Sequence, residues 1–311
     1  MPGVSTPDLV AAVAAAGGVG MLPAPMLSPE GLEQALGELR ARAPGAFGVN
    51  FLMPFLDPVC VPIAARGARL VEFFYGDPDR ALVEEVHAQG ALVSWQVGSV
   101  AEARAAERAG CDLVVAQGTE AGGHVRGQSS LLPLLSQVLE AVEVPVLAAG
   151  GVATARDLAA VLACGAAGAR VGTRFVAARE SGAHPAYVKA LIDASAGDTC
   201  LTEAYSVLWP DAPHRVLRSA VAAAEALAEG AVGEIRLGEE TVPVERFSVI
   251  CPSRETTGHI EAMALYAGES VEAVRDVRPA ADIVAELTAG AGRLLGLAAK
   301  MRGEGAAAKS G

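Results

Sequence analysis

Seven short apolar runs, most of them 21–28 residues apart with capped helical segments between them, predict an α/β fold, the (β/α)8 or TIM barrel. Three observations carry that reading. First, the runs VGML (19–22), FGVN (47–50), LVEFFY (70–75), ALVSW (91–95), DLVVA (112–116), PVLAA (145–149) and GARVG (168–172) are mostly continuous, as strands buried on both faces are. Second, the segments between them open with helix-start chemistry. Thr6-Pro7-Asp8, Ser28-Pro29-Glu30 and Asp77-Pro78-Asp79 each set a capping side chain before a first-turn proline, and Ser99 to Glu102 has capping-box spacing. Third, strand–helix repeats of this pitch require parallel pairing with right-handed crossovers, and seven of them within about 170 residues fit a barrel better than an open doubly wound sheet.

The count is one strand short. The chain runs from Pro2-Gly3 straight into a helix near Thr6, so the first barrel strand is missing or truncated, or another segment substitutes for it. One repeat is long: 33 residues separate the starts of DLVVA and PVLAA, and the excess is the loop QGTEAGGHVRG (117–127). A loop after a barrel strand lies on the catalytic face, and unusual length there marks function. Residues 1–199 and 259–300 are assigned to the barrel, with helix-like sequence at 260–272 and 280–300. Residues 200–258 are assigned to a mostly helical cap insertion with one polar strand-like piece (234–247), and 301–311 to a flexible tail.

Composition narrows the function. A hydrophobic fraction of 52% against 19% charged residues describes a globular chain with a large core. The net charge of −12 argues against nucleic acid or an anionic membrane as partner. Five scattered cysteines without a CxxC pair point to reduced thiols in a cytoplasmic setting rather than to a disulfide framework. No metal site is expected, because no His, Cys and carboxylate cluster shows ligand spacing.

Chemistry concentrates at strand C-termini. Gly150-Gly151 follow one strand with Thr154 at the next helix start, and Gly172-Thr173 occupy the same place on the following strand. Glycines let backbone N–H groups approach an anion, and barrels commonly bind phosphate with these last two loops. Asn50, Gln96 and Gln117 end or nearly end their strands, where amides suit a heteroaromatic ring with donors and acceptors. His124, flanked by glycines in the long loop, is the candidate base or hydrogen-bond donor, and Glu120 either a second base or a loop-orienting group. With no metal and no nucleophile elbow, an organic phosphate-bearing cofactor is the economical hypothesis.

The motifs GVSTPDLVAAVAAAGGVGML, FGVNFLMP, AQGTEAGGHVRG, PVLAAGGVATARDLAAVLACGAAGARVGTRFVAARES and AMALYAGES together resemble the nitronate monooxygenase (2-nitropropane dioxygenase) family, in its order and over almost the whole chain. The resemblance implies an FMN-containing barrel with a helical cap. It implies that Gln117 and Gly122 contact the flavin, that Gly150, Gly151, Gly172 and Thr173 hold its phosphate, and that Asn50 lies near the isoalloxazine. His124 matches the family's catalytic histidine, and Tyr266 opens a YAGES segment beside the flavin. Two departures stand out: Glu269 replaces the family's usual glutamine, and only MPGVSTP remains where members carry a first strand ending in a P-M-A-G-like turn.

The implied activity is oxidation of a nitronate or nitroalkane with dioxygen to a carbonyl compound and nitrite. The alternative keeps fold and cofactor but reduces a quinone or an enoyl thioester with NAD(P)H. A degenerate barrel serving as an assembly or sensor module is the non-catalytic reading. A homodimer is the assembly to test.

Overall fold

The structure, a computed structural model, describes residues 1–238 and 240–307, with side chains through residue 297. Seven parallel strands form one curled sheet: β1 (Gly20–Pro23), β2 (Phe47–Leu52), β3 (Leu70–Phe74), β4 (Leu92–Val97), β5 (Leu113–Gln117), β7 (Val146–Ala149) and β8 (Gly168–Arg170). They neighbour one another in that order, so among the described residues β1 and β8 are the two edges of a seven-stranded barrel sheet. The short β6 (Gly123–His124) lies outside this sheet.

The helices α1 (Pro7–Ala15), α2 (Pro29–Arg42), α3 (Cys60–Gly67), α4 (Arg80–Ala88), α5 (Val100–Ala109), α6 (Leu131–Ala141) and α7 (Ala155–Ala163) alternate with these strands. After β8 come α8 (Thr173–Val176), α9 (Pro185–Asp193), α10 (Arg218–Ala226) and α11 (Ala280–Ala307). The last packs on both α7 and α1, closing the helical ring across the sheet edges. Thr6, Ser28 and Ser99 cap as their sequences dictate. Around α4 the cap is Asp79, not Asp77, because Asp77 instead pairs with Arg126. Glu102 has capping-box spacing, but its carboxylate accepts from Gly98 N–H and from Arg126 rather than from the N-cap backbone.

Register sorts the side chains into two sets, since alternate strand residues face opposite sides. Phe51, Phe73 and Trp95 form one row across β2, β3 and β4, with ring centroids 5.7 and 4.9 Å apart, inside the main core cluster. One residue earlier, Asn50, Glu72 and Ser94 form a polar row on the other side. The apolar row supplies cohesion and the polar row faces the chemistry.

Three expectations are corrected. Residues 200–258 are not mostly helical: among the described residues they hold one helix, α10, and five strands or strand portions. β10 (His214–Leu217) pairs with β9 (Thr199–Thr202) and with β6, while β11 (Ala231–Leu237), β12 (Glu240–Glu245) and β13 (Thr256–Gly258) make a second small sheet. Within that segment Arg215 to Leu217 are drawn into β10 because their backbone pairs with both neighbours. Residues 260–272 are not one α-helix either: short 3-10 turns at Ile260–Ala262 and Glu269–Ala273 flank irregular chain. Leu265 O accepts from Leu217 N, Ala267 N donates to Arg215 O and Glu269 N donates to Glu120 O, so tertiary partners displace i−4 bonding. Finally, α11 continues to Ala307, through the first part of the expected tail; residues 308–311 lie outside the described residues.

Candidate active site

The loop after β5 is tied at almost every step. Gln117 Nε2 donates to the His124 carbonyl at 2.9 Å, bridging the loop's base. Both Glu120 oxygens accept Leu131 N–H at 2.9 Å; Glu120 therefore caps α6, whose N-cap residue Ser130 makes no side-chain cap. That favours the orienting role for Glu120 over the general base. Gly123, at φ +82°, turns the chain into β6, a conformation that side chains resist. There His124 pairs with His214, and Val125 N donates to Pro213 O at 2.8 Å. At the far end a Cβ on Gly127 would lie 2.3 Å from Gly98 O, so only glycine permits that approach.

His124 sits among rings from the barrel and from the segment between α9 and α11. Trp209 stacks on it at 3.9 Å with 17° between planes, and Tyr75 (6.0 Å), Tyr266 (5.6 Å) and His214 (5.2 Å) complete the surround. Phe55 packs edge-on against Trp209 at 5.2 Å. Tyr75 and Leu208 hold left-handed backbone, φ +66° and +78°, which is strain placed where the rings are aimed. His214 is tied at both nitrogens: Nδ1 donates to Ala212 O, and Nε2 accepts from Tyr205 N–H. By contrast, His124 Nε2 is buried with no hydrogen-bond partner among the described residues. Burial, with His214 a second cause, pushes the His124 pKa down to about 3, so the imidazole is neutral at pH 7. Trp209, Tyr75 and His214 were not singled out by the sequence, because their convergence on His124 arises only through the β6–β10 pairing.

The glycine turns converge from separate loops. Gly150 and Gly151 are consecutive left-handed residues, φ +104° and +69°, and a Cβ on Gly150 would lie 3.0 Å from Ala121 N. A Cβ on Gly122 would lie 2.5 Å from Gly268 N and 3.0 Å from Thr173 Oγ1. Thr173 Oγ1 accepts from Gly268 N–H at 3.0 Å, which leaves its own O–H to donate elsewhere. Gly172 heads α8, whose first-turn N–H groups have no i−4 carbonyl, and a Cβ there would meet no protein atom within 4 Å. Thr154 starts α7 as expected, its hydroxyl accepting from Asp157 N–H at 3.2 Å, and Asp157 accepts from Ala153 and Thr154 N–H, so α7's own capping box satisfies that end.

Asn50 donates to Glu72 at 2.9 Å, within the polar row. Gln96 is buried two positions beyond Ser94 on β4, hence on the same side. Gln117 Oε1, like His124 Nε2, is buried and unpartnered among the described residues. Tyr266 commits its hydroxyl to Val249 O at 2.8 Å and its carbonyl to the Tyr187 hydroxyl, which leaves its ring beside His124. Glu269 neither faces solvent alone nor stands free: it pairs with Arg215 at 3.0 Å. Among the described residues no group of three or more His, Cys, Asp or Glu side chains is placed to hold a metal, and no helix is long and apolar enough to cross a membrane.

A parallel barrel sheet, a histidine on the loop after β5 and glycine turns after β7 and β8 define a TIM-barrel enzyme, and its relatives place it among the flavin-dependent oxidoreductases. The profile of the nitronate monooxygenase family matches residues 1–60 and 58–290, and the chain belongs to that family. Its fold is similar to FabK from Thermotoga maritima (TM-score 0.78, 30% identity, 98% of this chain and 93% of that one). It is also similar to nitroalkane oxidase from Streptomyces ansochromogenes (TM-score 0.74, 29% identity, 94% of each chain). A Rhodococcus jostii protein named (3aS,4S,5R,7aS)-5-hydroxy-7a-methyl-1-oxo-octahydro-1H-indene-4-carboxyl-CoA dehydrogenase is 35% identical over 217 residues, which cover 70% of this chain and 60% of that protein's length.

Proposed function

We propose that the chain binds FMN and oxidises nitronates with dioxygen to a carbonyl compound and nitrite. The observation that carries this reading is the pair of buried, unpartnered polar atoms at the barrel mouth, His124 Nε2 and Gln117 Oε1. Groups left in that state cost roughly 1–3 kcal/mol each unless a ligand pairs with them. Gln117 Oε1 is an acceptor and fits a ring N–H of the flavin. The open backbone at Gly172, with Gly150, Gly151 and the Thr173 hydroxyl, fits the cofactor phosphate. Gly122 allows the close backbone packing that brings Thr173 there, and Asn50, Gln96 and the Tyr266 ring line the rest. When bound, the flavin supplies the electron chemistry that no side chain of this site offers.

His124 holds the substrate. A neutral imidazole with a pKa near 3 is a weak base against a nitroalkane C–H, but a good hydrogen-bonding partner for the oxygens of a preformed nitronate. An anion beside the ring also raises the ring's proton affinity, which strengthens its hydrogen bond to the nitronate oxygens. Trp209 and Tyr75 keep water from the imidazole, which strengthens that interaction. The reading therefore favours nitronates over neutral nitroalkanes.

A second reading has support in the Rhodococcus relative, whose name specifies a dehydrogenase of a carboxyl-CoA compound. On that reading the same barrel exchanges hydride with an acyl thioester and is reduced by, or reduces, a nicotinamide. Anaerobic stopped-flow mixing separates the two. Flavin bleaching by a nitronate with slow response to NADH supports the monooxygenase; rapid bleaching by NADH or an acyl-CoA with none by nitronate overturns it.

A further inference from the structure

Two charged side chains occur on the seven barrel strands, Glu72 on β3 and Arg170 on β8, and they pair with each other across the interior. Glu72 is 2% exposed; Asn50 donates to its Oε1 at 2.9 Å, Ser94 to its Oε2 at 3.4 Å, and Arg170 to Oε1. Arg170 ends its strand in register with Ala149 and Gln117, which end theirs, so all three stand at the mouth. Its side chain is 29% exposed against 2% for Glu72. The pair is thus an oriented dipole, acid inside and cation toward the space that Gln117 Oε1 also faces.

Stability does not account for it. Each ion loses several kcal/mol of hydration on entering a barrel, and well-packed apolar residues would hold the strands as well. A fixed cation at the mouth does have a use, because two electrons and one proton convert a neutral oxidised flavin into an anion whose charge rests on the pyrimidine edge. Charge placed near that edge tunes the cofactor. Resting on the FMN reading above, we infer that Arg170 sets the reduction potential of the bound flavin by stabilising its anionic reduced form, and that Glu72 positions Arg170 and moderates its charge.

The two partners should therefore act with opposite sign, which a merely structural pair would not do. Wild type, Arg170→Gln, Arg170→Lys and Glu72→Gln are loaded with FMN. For each, the midpoint potential is measured by dye equilibration, and the dissociation constant by titration with sulfite, which adds to the ring and leaves it anionic. Arg170→Gln weakens sulfite binding about tenfold or more, as removal of a unit charge at an effective dielectric near ~20 implies, and lowers the potential. Glu72→Gln moves both the other way, and Arg170→Lys stays near wild type. Shifts of the same sign in Arg170→Gln and Glu72→Gln, or no shift with FMN still bound, overturn the inference. Should Arg170→Gln fail to fold, Glu72→Gln decides alone: unchanged or weaker sulfite binding overturns it. A wild type that takes up no FMN overturns the flavin reading itself, and this inference with it; bound FMN with unmoved sulfite affinity overturns this inference only.

Discussion

The indole of Trp209 lies 3.9 Å from the imidazole of His124, nearly parallel to it, although one comes from the chain between β9 and β10 and the other from the loop after β5. Pairing of β6 with β10 makes the contact possible, and Phe55 and Tyr75 hold the indole from the barrel side. The stack fixes the plane of the imidazole and contributes to the burial that keeps it neutral.

Trp209→Ala should therefore change a pH profile more than a binding constant. In the wild type His124 stays neutral down to about pH 3. With the indole gone, water reaches the ring and its pKa rises toward the ordinary value near ~6.5. The ratio of variant to wild-type kcat/KM, measured with one nitronate from pH 5 to 8, should rise as pH drops below that value, because a protonated ring attracts the anionic nitronate more strongly. A ratio that stays flat across this range would remove Trp209 from control of His124.

On the proposed reading, in which His124 holds the nitronate and the glycine turns hold the phosphate, His124→Ala should lower turnover by about 10²–10⁴-fold while leaving FMN bound. It should also soften acid unfolding. A histidine whose folded pKa lies below its unfolded value contributes stability above the unfolded pKa and loses it as pH falls toward the folded one. Between about pH 6.5 and pH 3 the wild type thus gives up a few kcal/mol that the variant does not. Urea midpoints at pH 7 and pH 4 would measure this, and equal losses in both proteins would contradict it.

Two glycines separate cofactor binding from folding. Gly172→Ala adds a methyl where no protein atom lies within 4 Å and φ is −109°, so thermal stability without FMN should stay within about 0.5 kcal/mol of wild type. FMN affinity should nonetheless fall, since the methyl points into the proposed cradle. Gly122→Ala meets Gly268 N at 2.5 Å and should destabilise the protein by about 1–3 kcal/mol with or without FMN. Fluorescence titration with FMN beside thermal melts distinguishes the two; unchanged FMN affinity in Gly172→Ala would move the phosphate elsewhere.

The strands and the glycine turns were legible because their causes are local. Continuous apolar runs such as LVVAQ bury both faces, and Gly150-Gly151 need a backbone that other residues resist. What sequence could not carry was pairing between distant segments. His214 looked unremarkable until β10 set it opposite His124, and Glu72 and Arg170 are 98 positions apart. The stretch 260–272 has helical composition, yet Leu265, Ala267 and Glu269 give their backbone groups to Leu217, Arg215 and Glu120. The apolar pattern was real there, but the partners were tertiary.

Arg215 and Glu269 show why the unusual acid in YAGES need not disturb the site. Arg215 is 8% exposed and donates to Thr119 O at 2.9 Å and Thr199 Oγ1 at 3.3 Å, in addition to pairing with Glu269. It thereby joins the histidine loop, β9 and the 266–270 segment. Glu269 is about half exposed, so its pairing contributes roughly 0–1 kcal/mol after solvent screening. Glu269→Gln should melt near wild type and leave the flavin spectrum almost unchanged, because Arg215 keeps its other two acceptors. Arg215→Met should cost about 2–4 kcal/mol, since it strips a partner from the buried Thr199 hydroxyl and the part-buried Thr119 carbonyl as well as from Glu269, and should lower turnover by loosening the loop that carries His124. Thermal melts and steady-state rates on both variants test the contrast. If Glu269→Gln were the more damaging of the two, the carboxylate would have a role at the flavin that its pairing with Arg215 does not explain.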